Sequence, residues 1–177
     1  MSVPNIRFCP ANPATRRGGI GRRIRYAGRR GASVGMALAL MAGLAEYIRQ
    51  PLLLPPFAAT AVLILVTPNK SFAQPRNIVG GYLICCILAF AVVTWLPPAS
   101  GLVAAGTVGT AVCLMLVADA LHPPGAAMLL LLLLAPRSPD WRLEFGIVPL
   151  GVAVLVGTGW LLNKLVLRQQ YPAKTWW

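Results

Sequence analysis

The sequence predicts an all-α membrane protein of four long transmembrane helices and two short proline-started helices, re-entrant or broken, arranged as an internal repeat. Three observations predict it. Apolar residues other than glycine make up 57% of the 177 positions and charged residues only 11%, too few charges to cover a soluble surface of this size. The charge is also confined: of 16 Lys and Arg, eight (Arg7, Arg16, Arg17, Arg22, Arg23, Arg25, Arg29, Arg30) fall in the first 30 residues, and no acid precedes Glu46. Finally, the apolar residues gather into runs of two distinct lengths, and prolines frame the shorter ones.

Residues 1–31 read as a flexible basic cytoplasmic tail. A net charge of +12 points to nucleic acid when it is spread over a folded surface. Here it sits beside a first membrane span, where the preference for cytoplasmic positive charge accounts for it. The expected partners are therefore the lipid bilayer and no nucleic acid. Ser2 and Thr15 are the only serine or threonine residues before Ser33, unlike an organellar transit peptide, and no small-residue cleavage site follows the first apolar run. The expected location is a multi-pass cell membrane, the bacterial inner membrane, with both termini cytoplasmic.

Residues 32–166 form the expected transmembrane domain, followed by a short C-terminal tail, 167–177. Long apolar segments near Ala32 to Tyr47, Ile78 to Leu96, Gly101 to Ala120 and Phe145 to Leu165 approach the ~20 residues needed to cross ~30 Å of hydrocarbon. Two shorter runs, Phe57 to Thr67 and Gly125 to Ala135, each follow a proline pair (Pro55-Pro56, Pro123-Pro124) and end at a proline (Pro68, Pro136). Proline is tolerated in the first helical turn and stops a helix at its end, so each run predicts a helix of about three to four turns. Cys85, Cys86 and Cys113 lie within apolar runs and Cys9 in the tail, without metal-ligand spacing, so they read as packing residues. No cofactor or metal is expected.

The two short runs match. PPFAATAVLILVTP (Pro55 to Pro68) and PPGAAMLLLLLLAP (Pro123 to Pro136) agree at seven of fourteen positions. Each follows a long helix ending near an acid, Glu46 or Asp119, and precedes an Arg-containing connection and another long helix. The chain thus reads as a duplicated unit, and interrupted segments at corresponding positions are a pointer to a transporter-type site. Two topologies stay open. With re-entrant short helices, five bases (Arg49, Lys70, Arg76, Arg137, Arg142) lie outside and the other 11 inside; if the short helices cross, Lys70 and Arg76 move inward and the split is 13 to three. Charge favours six crossings, whereas short length and paired prolines favour re-entry.

The polar residues of the body cluster where the short helices begin. His122, the only histidine, precedes Pro123, Pro124 and Gly125, and a helix start there directs its dipole at a small anion or oxygen ligand. His122 contacts that ligand, or else caps the helix or bonds Asp119, three residues earlier. Pro55 and Pro56 begin the matching helix. Arg76 is the best guanidinium anchor for an anion, or else snorkels to head groups, and Asn77 is a candidate cap for its helix. Glu46 and Asp119 are candidates for proton coupling or for structural ion pairs. A catalytic set is not expected: no nucleophile and base are paired, and one histidine cannot build a multi-histidine metal site.

His122-Pro123-Pro124 in apolar context, together with the stretch FAATAVLILVTPNKSFAQPRNIVGG from Phe57 to Gly81, resembles the HPP family of integral membrane proteins over roughly Ala32 to Leu165. Relatives often carry histidine after the glycine pair Gly80-Gly81, where this chain has Tyr82. The resemblance implies about four spans and transport activity, linked in plant plastid and cyanobacterial members to nitrite. The expected function is therefore a transporter or channel for a small anion, nitrite in the first instance, held between the two short-helix starts. Homo-oligomerisation to a dimer or trimer would supply enough protein for a pathway. The alternative is a non-transporting membrane scaffold.

Overall fold

A computed structural model describes residues 19–96, 100–134 and 141–173, with backbone alone over 141–144. Six α-helices and no strand occur among the described residues: α1 (Ile20–Ile48), α2 (Pro55–Val66), α3 (Pro75–Trp95), α4 (Gly101–Val117), α5 (Pro123–Leu134) and α6 (Trp141–Leu165), with a 3-10 turn at Ser71–Ala73 between α2 and α3. Three of the four helices expected to be long are long and apolar enough to cross a bilayer, within α1, α3 and α6. The fourth, α4, has 17 residues and ends at Val117, because Ala118 and Asp119 turn away and Asp119 takes a left-handed backbone (φ 49°).

The short helices follow their proline frames. Pro55 and Pro123 each take the first helical position, where the missing N–H removes no intrahelical bond. Twelve residues each give roughly 18 Å of helix. The start of α1 departs from expectation: it begins at Ile20, so Arg22 to Arg30 are helical where a flexible tail was expected. Arginine is a good helix former, and solvated charge does not oppose the helix as it would oppose burial in lipid. These residues are exposed except for half-buried Tyr26 and Arg30.

Successive helices run in opposite directions. Arg30 donates to the Leu65 carbonyl near the end of α2, and Arg29 to the Val166 carbonyl just past α6. Arg76, at the start of α3, meets Asp119, just past α4. The first third of α1, the ends of α2, α4 and α6 and the start of α3 therefore share one end of the bundle. Residues 169–173 lie across this end as a strap. Gln169 accepts from Arg30, the Tyr171 hydroxyl donates to the Ala73 carbonyl (2.9 Å), and the Ala173 N–H donates to Gln74 Oε1 (3.0 Å).

The principal helix packings are α1 with α2 and α6, α2 with α5 and α6, α3 with α4, α5 and α6, and α4 with α5. One core joins α1, α2, α3 and α6, with Met128 of α5, around Met41, Phe57, Ile64, Ile78 and Leu155, and a second joins α3, α4 and α5 around Cys85, Ala89, Ala111, Met115 and Leu129. Large apolar side chains such as Leu83, Ile87, Leu102 and Leu116 remain exposed, as expected where the surrounding solvent is lipid.

Glycine sets how closely the short helices approach the long ones. A Cβ on Gly81 of α3 would lie 2.6 Å from His122 Cβ and 3.2 Å from the Ala120 carbonyl, and one on Gly125 would lie 3.1 Å from the Gly81 backbone. Gly81 is six residues into α3, so α5 begins roughly 9 Å below that helix start. On the other side, Phe57 in the first turn of α2 fills the space that a side chain on Gly151 of α6 would need. Gly151 is six residues past Phe145, where the apolar span of α6 begins. Each short helix thus starts inside the bundle, one entered from each end.

A buried hydrogen-bonded cluster as the candidate site

His122 ends the connector 118–122 and is fully buried. Its Nδ1 lies 2.7 Å from the Phe72 carbonyl of the 3-10 turn, and its Nε2 lies 3.0 Å from Thr60 Oγ1 on α2. Thr60 Oγ1 is in turn 2.9 Å from the Tyr82 hydroxyl and 3.0 Å from the Pro56 carbonyl; the Tyr82 hydroxyl is also 3.1 Å from that carbonyl. The Tyr82 and His122 rings pack with centroids 5.2 Å apart. Four elements thus contribute to one chain of contacts: the 3-10 turn, the connector, α2 and α3.

The acceptors fix the protons. A carbonyl only accepts, so Nδ1 carries the hydrogen and donates to Phe72. Nε2 is then an acceptor, and the Thr60 hydroxyl donates to it. The Tyr82 hydroxyl donates towards Pro56 and Thr60. Every member of the cluster is bonded, as burial demands, and no buried side-chain polar atom among the described residues is left unpaired.

Several expected roles change. His122 makes no bond to Asp119: the left-handed Asp119 backbone directs the carboxylate outward while the chain turns inward to His122. Asp119 instead pairs with Arg76 (3.3 Å), both side chains being solvent-accessible (43% and 87%), which limits the pair to about 0–1 kcal/mol. Arg76 also donates to the Ala118 carbonyl (3.3 Å). Asn77 does not cap α3, whose N-cap position is Gln74. Its amide is best oriented donating to the Ser71 carbonyl (3.1 Å) and accepting from the Leu121 N–H (3.3 Å). Arg76 and Asn77 together clamp the connector that delivers His122. Glu46 is exposed in the last turn of α1, at the opposite end from Asp119, so the two acids do not form one site.

The proline pairs also act differently from a simple anion nest. In each short helix the first two residues are prolines with no N–H to offer. The next amide is engaged, Gly125 to the His122 carbonyl and Phe57 to the Leu54 carbonyl (each 2.9 Å). Only the helix dipole, not a set of free donors, is directed at a ligand there. The two starts are linked through the Thr60 hydroxyl, which lies 3.0 Å from both the Pro56 carbonyl and His122 Nε2, and not through their prolines. Pro55 and Pro56 instead border an apolar groove of about 480 Å³ with Ala59, Ala127, Leu130, Leu131 and Leu134, the middle and end of α5. Among the described residues no three His, Cys, Asp or Glu side chains converge as metal ligands would.

The histidine-proline-proline start of α5, cradled by the glycine pair of α3, is the feature that comparison with known proteins recognises: residues 21–172 match the model of the HPP transmembrane region. This chain belongs to the HPP family. The match begins at the basic first turn of α1 and takes in the C-terminal strap. Two relatives from Dictyostelium discoideum, named only as transmembrane proteins, are 29% identical over 127 residues and 30% identical over 131. The alignments cover 68% and 71% of this chain but 44% and 42% of the relatives, so the chain spans less than half of their length. No solved structure matches.

Sequence reasoning singled out His122 but missed Thr60 and Phe72. Thr60 carries the only polar side chain in α2, and a lone hydroxyl in an otherwise apolar short helix was the available signal. Phe72 contributes a carbonyl, which no side-chain pattern reveals. Tyr82 stands where relatives often carry histidine, and here it bonds to Thr60 and packs on His122.

Proposed function

We propose that this HPP protein is a small inverted-repeat membrane transporter whose cargo is a small anion, with nitrite the first to test. The observation that carries the reading is the correspondence between the halves α1–α3 and α4–α6. Exchanging them turns the α1–α2, α1–α6 and α2–α6 packings into α4–α5, α4–α3 and α5–α3, and leaves α2–α5 and α3–α6 as themselves; all eight are present. Phe57 on Gly151 likewise corresponds to Gly125 on Gly81. Halves of three alternating helices have opposite senses, the arrangement that permits one site to face either side in turn.

Charge supports an orientation. Among the described residues the end holding Arg22, Arg23, Arg25, Arg29, Arg30, Lys70, Arg76, Lys164 and Arg168 carries nine bases and one acid, Asp119, whereas Arg49 and Glu46 lie at the other. The basic end is then cytoplasmic by the positive-inside preference, with all six helices crossing and short α2 and α5 completed by their inserted connectors. Such an end also concentrates anions. A second copy supplies the remaining wall of the pathway in this reading.

The test is flux into proteoliposomes. Purified protein is expected to move nitrite, nitrate or formate faster than protein-free vesicles. Rates equal to those of empty vesicles for all three, across a range of pH, refute transport of small anions and leave the scaffold reading.

A further inference from the structure

We propose that His122, with Thr60, Tyr82 and the Pro56 carbonyl, is a proton-binding site that loads together with the anion, so that the cargo crosses as an anion and a proton. This rests on the transport reading above and adds the coupling ion. The argument begins with the geometry of the cluster, which holds two complete sets of hydrogen bonds in one arrangement of heavy atoms. With the ring neutral, Thr60 donates to Nε2. With the ring protonated, Nε2–H donates to Thr60 Oγ1, and the Thr60 hydroxyl turns to the Pro56 carbonyl, already 3.0 Å away. Nδ1–H stays on the Phe72 carbonyl (2.7 Å) and the Tyr82 hydroxyl on Pro56 (3.1 Å). A proton from water forms one N–H bond, one hydroxyl rotates and no acceptor is abandoned.

The missing component is countercharge. Thr60 is the only polar side chain of α2, and α5 has none. The titratable groups on the other surrounding elements are Lys70 before the 3-10 turn, Arg76, Tyr82, Cys85 and Cys86 on α3, and Asp119 on the connector. The exposed Asp119 carboxylate is engaged with Arg76. No anion among the described residues therefore meets the ring, and the α5 dipole disfavours a cation at its start. Both terms reverse when a small anion arrives there. At about 4 Å in a partly screened interior it raises the ring's proton affinity about a thousandfold, and by linkage the proton strengthens anion binding equally.

His122 is the only histidine, so isotope-labelled histidine gives a single-residue spectrum. Ring-nitrogen NMR of the full chain in lipid nanodiscs is expected to show the neutral Nδ1–H tautomer at neutral pH in chloride. Saturating nitrite, nitrate or formate at matched ionic strength is expected to move protonation upward by up to about a thousandfold in proton affinity. Thr60→Val, which removes the acceptor of the Nε2 proton, is expected to lower that affinity by about tenfold or more, while Tyr82→Phe changes it far less. A neutral ring protonated at Nε2 overturns the site, as does a titration unmoved by all three anions. Flux separates the two readings. Nitrite flux with an unmoved titration leaves transport standing and removes the coupling site, whereas a shifted titration without flux keeps the site and removes transport.

Discussion

Replacing Gly81 with alanine tests the close approach on which the position of His122 depends. The added Cβ would stand 2.6 Å from His122 Cβ, 3.2 Å from the Ala120 carbonyl and 3.5 Å from His122 Cα. None of these atoms is the far end of a flexible side chain, so α3 and the connector must move apart. Overpacking of this kind costs about 1–3 kcal/mol, partly offset by up to about 1 kcal/mol of helix propensity gained on replacing glycine. Gly109 on α4 is the matched control, because a Cβ there meets nothing within 4 Å. Thermal unfolding in detergent should show Gly81→Ala melting below the parent, by roughly 2–4 °C per kcal/mol for a chain of this size, with Gly109→Ala at or above it. Equal melting of the two variants would refute the close packing of α5 against α3.

The cluster itself gives further expectations. Thr60→Val should destabilise by about 1–3 kcal/mol, since it leaves the buried Nε2 without a donor, and Tyr82→Phe by about 1 kcal/mol, since Thr60 and Pro56 retain each other; denaturation of both variants alongside the parent measures the difference. In a background cleared of native cysteines, Lys70→Cys and Arg168→Cys should react with impermeant reagent from one side of the membrane and Arg49→Cys from the other. Labelling of Lys70→Cys from the same side as Arg49→Cys would contradict the six-crossing arrangement.

The short helices were legible in the sequence because proline acts locally: Pro55 and Pro123 set both starts to within two residues of the expected runs. The first helix was not, since hydropathy stops at Ala32 whereas helix propensity continues through the arginines to Ile20. The end of α4 depended on a left-handed backbone at Asp119, which no composition signal encodes. His122 was visible as a lone ionisable group, but its partners were not. Thr60 is 62 residues away and Phe72 is 50, and such pairings follow from tertiary packing rather than from spacing along the chain. That the proline pairs offer a ligand the helix dipole and no N–H of their own was already legible in the sequence, since a residue without an N–H cannot donate one.

The strap over the basic end has a mechanical consequence. Ala173 hangs from Gln74 and Tyr171 from Ala73, the two residues that follow Phe72, whose carbonyl holds the histidine. Whatever is joined after Ala173 therefore pulls in series with the buried ring through a handle only a few bonds long. Tension on the C-terminus, from a fused domain or a tethered neighbour, is transmitted to the turn before it reaches any helix.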